Sequence, residues 1–392
     1  MSGSPRIPAA PAPAAPPPPP AMATDQAAPS SLLWSDGLPP EFAGLVIRRL
    51  PSLADRTRFG AVCRRWGLAA QQQAPTLPAP LPWISNFFTQ VFQSFPDGEP
   101  HELQRHSRFL ACRGLSESWL MFVRPGSCAQ SRLFLKNPLS GATIPLPGNF
   151  RSADDHRLFN SDFATIRKFI VCSDDDLIVL MARGCPYPPP LGPLIACCRP
   201  GSMSSWSTAT YVAQESDYDF HYQDIAFHHG NVYGVNGTGD LYAHNISEDS
   251  GTGEMVVSHA KQVIKCSDAW FGMKLRQFFL AVSRGDLLLV KWIDDEMFTS
   301  SFEVFKVDLE MSRWSEVSSL GDQVLFVSGM CSKAVSTSSD GDYLRGNCIY
   351  FMDYDRRGAK GCAMYDLRDN TYHKIHTPQC RSHEPAWFFP HK

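Results

Sequence analysis

No stretch of this sequence reaches roughly 18 consecutive apolar residues, the minimum for a helix that spans a bilayer, so no transmembrane segment is expected. A basic stretch followed by an apolar core is missing from the N-terminal region, which argues against a secretory signal. An organellar transit peptide is disfavoured as well, because Arg6 is the only basic residue among residues 1–33. Charge of one sign is lacking too. A net charge of −3, from 36 Lys+Arg against 39 Asp+Glu, argues against a general nucleic-acid binder. Neither nucleic acid nor a membrane is therefore expected as a partner. H-E-x-x-H, G-x-S-x-G and P-loop spacings are all absent.

Cysteine is plentiful but unpatterned. The chain has 12, no C-x-x-C, and one close pair, the adjacent Cys197-Cys198. Their apolar neighbourhoods suit reduced, buried thiols of an intracellular protein, in the cytoplasm, the nucleus or both. The sequons at Asn236-Gly237-Thr238 and Asn245-Ile246-Ser247 are then expected to carry no glycan. Asp174-Asp175-Asp176, between "RKFIVC" and "LIVLMA", reads as a solvated hairpin turn rather than a metal site. His228-His229 falls at a hairpin tip, where strand geometry would send the two rings to opposite faces and make joint metal ligation awkward. "GVNGTG" (234–239) leads into a strand, not a helix, so it is no phosphate cradle. No catalytic residue, metal or cofactor is expected.

What is present falls into three regions. Residues 1–33 are mostly Pro, Ala and Ser, including Pro16 to Pro20; such a segment buries too little to offset its ordering entropy and reads as a disordered tail, or as a Pro-rich ligand. Residues 34–75 carry helical periodicity. Residues 76–392 are β-rich, with the boundary near "QQQAPTLPAPLP" (71–82). In that third region similar units recur: "RLFLKNPLSGATIPLP" (132–147), "LIACCRPGSMSSWSTAT" (194–210), "FEVFKVDLEMSRWSEV" (302–317) and "CAMYDLRDNTYHKIHTP" (362–378). Each is an apolar strand, a polar turn and a second strand opening near Ile144, Trp206, Trp314 or Tyr372. A weaker unit around Val256 and Val257 fills the gap. The stretches at 226–246 and 278–294 alternate around tight Gly-containing turns, as hairpins do. About four short strands per unit, with a period of roughly 50 residues, suits propeller blades. A pair of β-sandwiches explains the period less well. Five units are visible, and a sixth is expected from joining "AWFFP" (386–390) to strands near Phe87 to Trp119. The fold class is thus α+β and multidomain: a small all-α helical hairpin followed by an all-β propeller of about five to six degenerate blades.

The helical stretch "GLPPEFAGLVIRRLPSLADRTRFGAVCRRWGLAA" (37–70) is too short to hold a core of its own. Phe42, Leu45, Val46 and Leu50 recur at i, i+3, i+4 and i+8, which predicts one broad apolar face. Pro51 stops the first helix and Ser52 caps the next, which carries Leu53, Phe59 and Val62; Cys63 and Trp66 extend the apolar side. Arg48, Arg49, Arg56, Arg58, Arg64 and Arg65 make the polar side basic, which fits an acidic helical partner. The segment resembles an F-box: Leu38-Pro39 at its start, then Val46, Leu50, Leu53 and Phe59, and the ending Val62-Cys63-Arg64-Arg65-Trp66. It departs from the F-box pattern at Ala43-Gly44, where leucines are usual, and at Arg56 and Thr57, which are often apolar.

"LGDQVLFVSG", "LRGNCIYFMD", "CAMYDLRDNTYHKI", "AWFFP" and the N-P-L-S-G turn resemble the degenerate, kelch-like propeller found behind an F-box in a large group of plant proteins. The resemblance implies a non-enzymatic substrate receptor of an SCF-type ubiquitin ligase. Leu38, Pro39, Val46, Leu50, Leu53, Phe59, Val62, Cys63 and Trp66 would hold a SKP-type adaptor, and through it a cullin-RING ligase. The propeller would hold an unidentified target protein, with Tyr187, Tyr222 and Trp270 as aromatic, loop-like contacts that blade packing explains equally well. Two other readings stay open: an enzyme with a site in a propeller channel, and an F-box scaffold or decoy without ligase activity.

Overall fold

Tight turns set the hairpins of the β-rich region. At His229-Gly230 and Arg284-Gly285 both turn residues take positive φ, so two-residue loops join His228 to Asn231 and Ser283 to Asp286. Glycine supplies that conformation at no steric cost. Alternation along the strands then places apolar side chains on both faces of each sheet, and stacking sheets around an axis covers them. The computed structural model describes residues 40–86, 91–102, 111–124, 132–152, 158–160, 165–172, 177–183, 194–201, 205–210, 221–266, 275–294, 300–337, 343–354, 360–380 and 385–391. Among these residues it is a six-bladed β-propeller, with three short helices ahead of it.

The second blade is Ala111–Ser116, Trp119–Arg124, Arg132–Lys136 and Thr143–Pro145; the fifth is Leu275–Ser283, Asp286–Asp294, Ser300–Asp308 and Arg313–Glu316. The third runs from Thr165–Val171 to Trp206–Thr210 and gains two strands at its outer edge, because Trp206–Thr210 pairs in parallel with Asn149–Ser152. In the fourth, Leu241–Glu248 pairs with both Met255–Val257 and Lys261–Ile264. The sixth has five strands, with Gln323–Val327 antiparallel to Lys333–Ser336 and parallel to Cys348–Tyr354. The four repeats anticipated at 132–147, 194–210, 302–317 and 362–378 are the outer strand pairs of the second, third, fifth and sixth blades.

The first blade corrects the expected one. Ala386–Phe388 pairs antiparallel with Trp83–Asn86, upstream of Phe87, and the blade continues through Val91–Ser94 and Pro100–Glu102. Trp119 belongs to the next blade. The chain therefore closes its own ring. Phe389 N donates to Glu117 O at 3.1 Å, and Asn137 Nδ2 to His391 O at 3.2 Å. Asn137 opens the N-P-L-S-G turn, where its Oδ1 also accepts from Leu139 N and Ser140 N.

Apolar clusters sit between neighbouring blades: Phe150, Phe169 and Trp206 between the second and third, Phe302, Phe351 and Tyr365 between the fifth and sixth, and Trp83, Phe326, Trp387 and Phe388 at the closure. Three tryptophan indoles donate to backbone carbonyls of the preceding blade in the ring or of the segment leaving it. These are Trp206 to Pro147 (2.9 Å), Trp314 to Gly239 (3.1 Å) and Trp387 to Val327 (3.0 Å). On the inner strands, Lys168 Nζ and Asp224 Oδ1 lie 2.5 Å apart, both buried, while the same carboxylate accepts from Leu280 N at 2.8 Å. Gln223 Oε1 accepts from Phe278 N at 2.8 Å.

Two outcomes follow. Lys168→Met leaves the Asp224 charge buried without its partner and should cost about 3 kcal/mol in a denaturant unfolding series. His244 is buried with Nδ1 donating to Ser258 O and Nε2 accepting from the Tyr222 hydroxyl, each at 2.9 Å, and burial holds its pKa below the ordinary histidine value. Below about pH 6.5 the unfolded chain takes up a proton that the folded site resists, so this contribution to stability is lost as pH falls. His244→Gln should flatten the decline in melting temperature between about pH 7 and pH 5.

Candidate functional site

The helical unit consists of α1 (Pro40–Arg48), α2 (Leu53–Ala61) and α3 (Arg64–Gln73), followed by a 3₁₀ turn, Ala74–Thr76. Ser52 caps α2, its side chain accepting from Ala54 N at 3.2 Å. The interior is small: Ala43, Ile47, Phe59 and Ala69, flanked by Leu50, Trp66, Ala70 and Leu77. Phe59 and Trp66 stack with ring centroids 4.5 Å apart. α2 and α3 cross closely at Gly60 and Gly67; a Cβ on Gly67 would lie 2.9 Å from Gly60 O, so a side chain there would push the helices apart.

Four features fix this unit to the propeller. Leu53 packs against the closure cluster, and Leu81 N donates to Pro51 O at 2.9 Å. Arg58 pairs with Asp55 in its own helix and with Glu99 in the first blade, and that contact holds the Glu99 carboxyl below the usual range. Arg56 is buried, with Nε on Leu50 O and Nη1 on Pro78 O, both at 2.7 Å. Burial lowers its pKa. The arginine at a position expected to be apolar thus braces the linker that follows the helices.

The expected apolar face of α1 is in fact two faces. Ala43, Ile47 and Leu50 point inward, whereas Phe42, Leu45 and Val46 point to solvent. With Val62 at the end of α2 and Leu68 on α3, these five side chains are 41% to 60% exposed. Of the residues expected to hold an adaptor, Val46 and Val62 are outward. Phe59 is interior, Leu50, Cys63 and Trp66 are half-buried, and Leu53 faces the propeller. Leu38 and Pro39 lie outside the described residues. Phe42, Leu45 and Leu68 were not among the expected contacts; their spacing showed them to be apolar but not which way they face.

The arginines divide as well. Arg48, Arg49 and Arg56 line a cavity at the seam with the propeller, Arg58 is paired across to the first blade, and Arg64 and Arg65 are exposed on α3. They do not form the single basic side that periodicity suggested.

Along the propeller axis are two cavities of about 400 and 560 Å³. Their linings succeed one another along the inner strands, with Asp224 and the buried Phe278-Phe279 between them. Tyr222 is blade packing more than display: it is buried, its hydroxyl is engaged by His244, and its ring lies where a Cβ on Gly234 would be, 2.7 Å away. Tyr187 and Trp270 lie outside the described residues, as do Asp174, Asp175 and Asp176. His228 and His229 are not sent to opposite faces. His229 sits in the turn at φ 45° and the two ring centroids are 4.0 Å apart. Among the described residues, no group of three or more His, Cys, Asp or Glu is placed to hold a metal ion. Burial pushes the thiols of Cys112 and Cys197 up to about 12 and those of Cys331 and Cys348 up to about 11, so they stay protonated and poorly nucleophilic at neutral pH.

Residues 92–381, well over half of the chain, match the family described as the KIB1-4 beta-propeller. The chain belongs to the KIB1-4 beta-propeller family. Its relatives include F-box protein At5g55150 of Arabidopsis thaliana, a provisional name, 24% identical over 396 residues that cover 93% of this chain and 98% of the relative. F-box protein At3g25750 of the same plant, also provisionally named, is 25% identical over 367 residues, 86% of this chain and 92% of its own. Too little of this chain is left out of the first alignment for it to omit the three helices, so the likeness spans helices and propeller together. Among solved structures, TolB from Acinetobacter baumannii covers 81% of this chain and 70% of its own, at 11% identity and a TM-score of 0.41. A likeness that low carries no functional argument.

In this KIB1-4 beta-propeller protein the inward and outward residues of the helices should separate experimentally. Phe59→Ala should lower the stability of the helical unit by about 3 kcal/mol, read by hydrogen exchange of α2 and α3 amides in the full chain. Val62→Asp should shift it by no more than about 0.5 kcal/mol.

Proposed function

We propose that this chain is the substrate-recognition subunit of an SCF-type ubiquitin ligase: the helical unit acts as an F-box that docks on a SKP-type adaptor, and the propeller holds a target protein. The observation that carries this reading is the outward set Phe42, Leu45, Val46, Val62 and Leu68 on a unit whose interior is only a few side chains deep. Each is already about half buried, so covering it with an apolar partner is worth about 1 kcal/mol. The full-length likeness to proteins named F-box supports the same reading.

On this reading the protein performs no covalent step. It holds a target near the ubiquitin-loaded enzyme and so raises the local concentration of the target lysine. Rigidity between the docking helices and the propeller matters for that task. Leu53, Arg56 and the Arg58–Glu99 pair would supply it. Such a complex would work in the cytoplasm, the nucleus or both.

The test is gel-filtration co-elution of the purified full chain with a recombinant SKP-type adaptor, beside a Leu45→Asp/Val62→Asp variant whose melting temperature is checked. Wild type should form a one-to-one complex, and the variant should bind at least about 100-fold more weakly, from the loss of two apolar contacts and the burial of two carboxylates. Folded wild type that elutes alone, or a variant that binds as wild type does, would overturn the reading.

A further inference from the structure

A cavity of about 360 Å³ opens at the seam between the helical unit and the sixth blade. One wall is cationic, with Arg48 from the end of α1, Arg49 just beyond it, and Arg56 from α2. Facing them are the strand Lys333–Ser336 and the pair Tyr343-Leu344.

Among the described residues the charges in this seam are unbalanced. Arg56 is 8% exposed, and its two short bonds go to the carbonyls of Leu50 and Pro78. Those bonds satisfy donors on Nε and Nη1 but cancel no charge. Among the described residues, Arg48 Nη2 reaches the neutral Gln73 Oε1 and Thr76 Oγ1, each at 3.3 Å. Among the described residues, no carboxylate forms an ion pair with Arg48, Arg49 or Arg56. Lys333, across the cavity, already has Glu117 at 2.9 Å. Burying a guanidinium without a counter-ion is costly, and two further arginines beside it raise that cost until an anion completes the set. Ser336 and Thr337 add hydroxyls to the lining, and Pro51, Leu81, Val335 and Leu344 give it an apolar part.

From this arrangement we infer that the seam is a binding site for a small amphipathic organic anion, its carboxylate or phosphate head against the three arginines and its apolar body on Leu81, Val335 and Leu344. The cavity is of the size such ligands fill, and charge-assisted bonds from arginine suit both head groups. A ligand seated there touches the helices and the sixth blade at once, so its occupancy stiffens the joint between them. This site is independent of what the helices dock on.

The experiment titrates the full chain with phenyl phosphate, benzoate, inorganic phosphate and the neutral benzyl alcohol, at matched ionic strength, by calorimetry and thermal shift. At least one of the two aromatic anions should bind and raise the melting temperature, and benzyl alcohol should do neither. Whichever aromatic anion binds more tightly identifies the head group. Arg48→Gln/Arg49→Gln, two exposed positions, should weaken binding by about tenfold or more without lowering the ligand-free melting temperature, since it relieves repulsion on Arg56. Arg56→Met should abolish binding, and the exposed double variant keeps the test decisive if that protein fails to fold. The inference is overturned if neither aromatic anion binds at about 10 mM, a concentration that reveals even weak sites. It also falls if the double variant binds as wild type does, or if inorganic phosphate binds as tightly as phenyl phosphate.

Discussion

The Asp224 carboxylate ties together three blades that share no backbone ladder. Sheets in a propeller meet face to face, so the hydrogen bonds that define each blade stop at its edges. Asp224 crosses that gap in both directions, to Lys168 in the third blade and to Leu280 N in the fifth, with Gln223 beside it reaching Phe278 N. The tryptophan indoles do the equivalent farther out, where Trp206, Trp314 and Trp387 bond to carbonyls of the preceding blade or of the chain leaving it. Apolar packing between blades is strong but non-directional; these polar links fix how one sheet is set against the next.

The helical unit depends on that ring. Its interior cannot stabilise three helices alone, and its contacts with the first blade and the linker make up the difference. Because the inward contacts use Ala43, Ile47, Leu50 and Phe59, a second set of apolar side chains is left facing out. Two apolar stripes on so short a segment are more than a self-contained domain requires.

Much of this was legible from local pattern. The outer strand pairs at 194–210 and 302–317 announce themselves by an apolar run, a polar turn and a tryptophan, because a hairpin is specified within its own residues. Six blades follow from that spacing once the closing strand is placed. Placement was the harder part: Trp83 pairs with Phe388, and no local signal links residues so far apart. The Lys168–Asp224 pair was hidden for the same reason. In α1 the i, i+3, i+4 pattern revealed apolar residues without ranking the stripe through Ala43 and Ile47 above that through Phe42 and Leu45, since small Ala43 reads as a weak core residue. Arg56 looked like a defect in an apolar position, because its partners are carbonyls contributed by chain segments on either side of it.

Ring closure also sets an order of events during synthesis. The strand Ala386–Phe388 is made only after the five other blades, while its partner Trp83–Asn86 is made before any of them. A growing chain therefore carries the helical segments and a first blade with an open inner edge, while the closure cluster on which Leu53 packs still lacks Trp387 and Phe388. Both the ring and the seat of the helices on it are complete only once Ala386–Phe388 has been made.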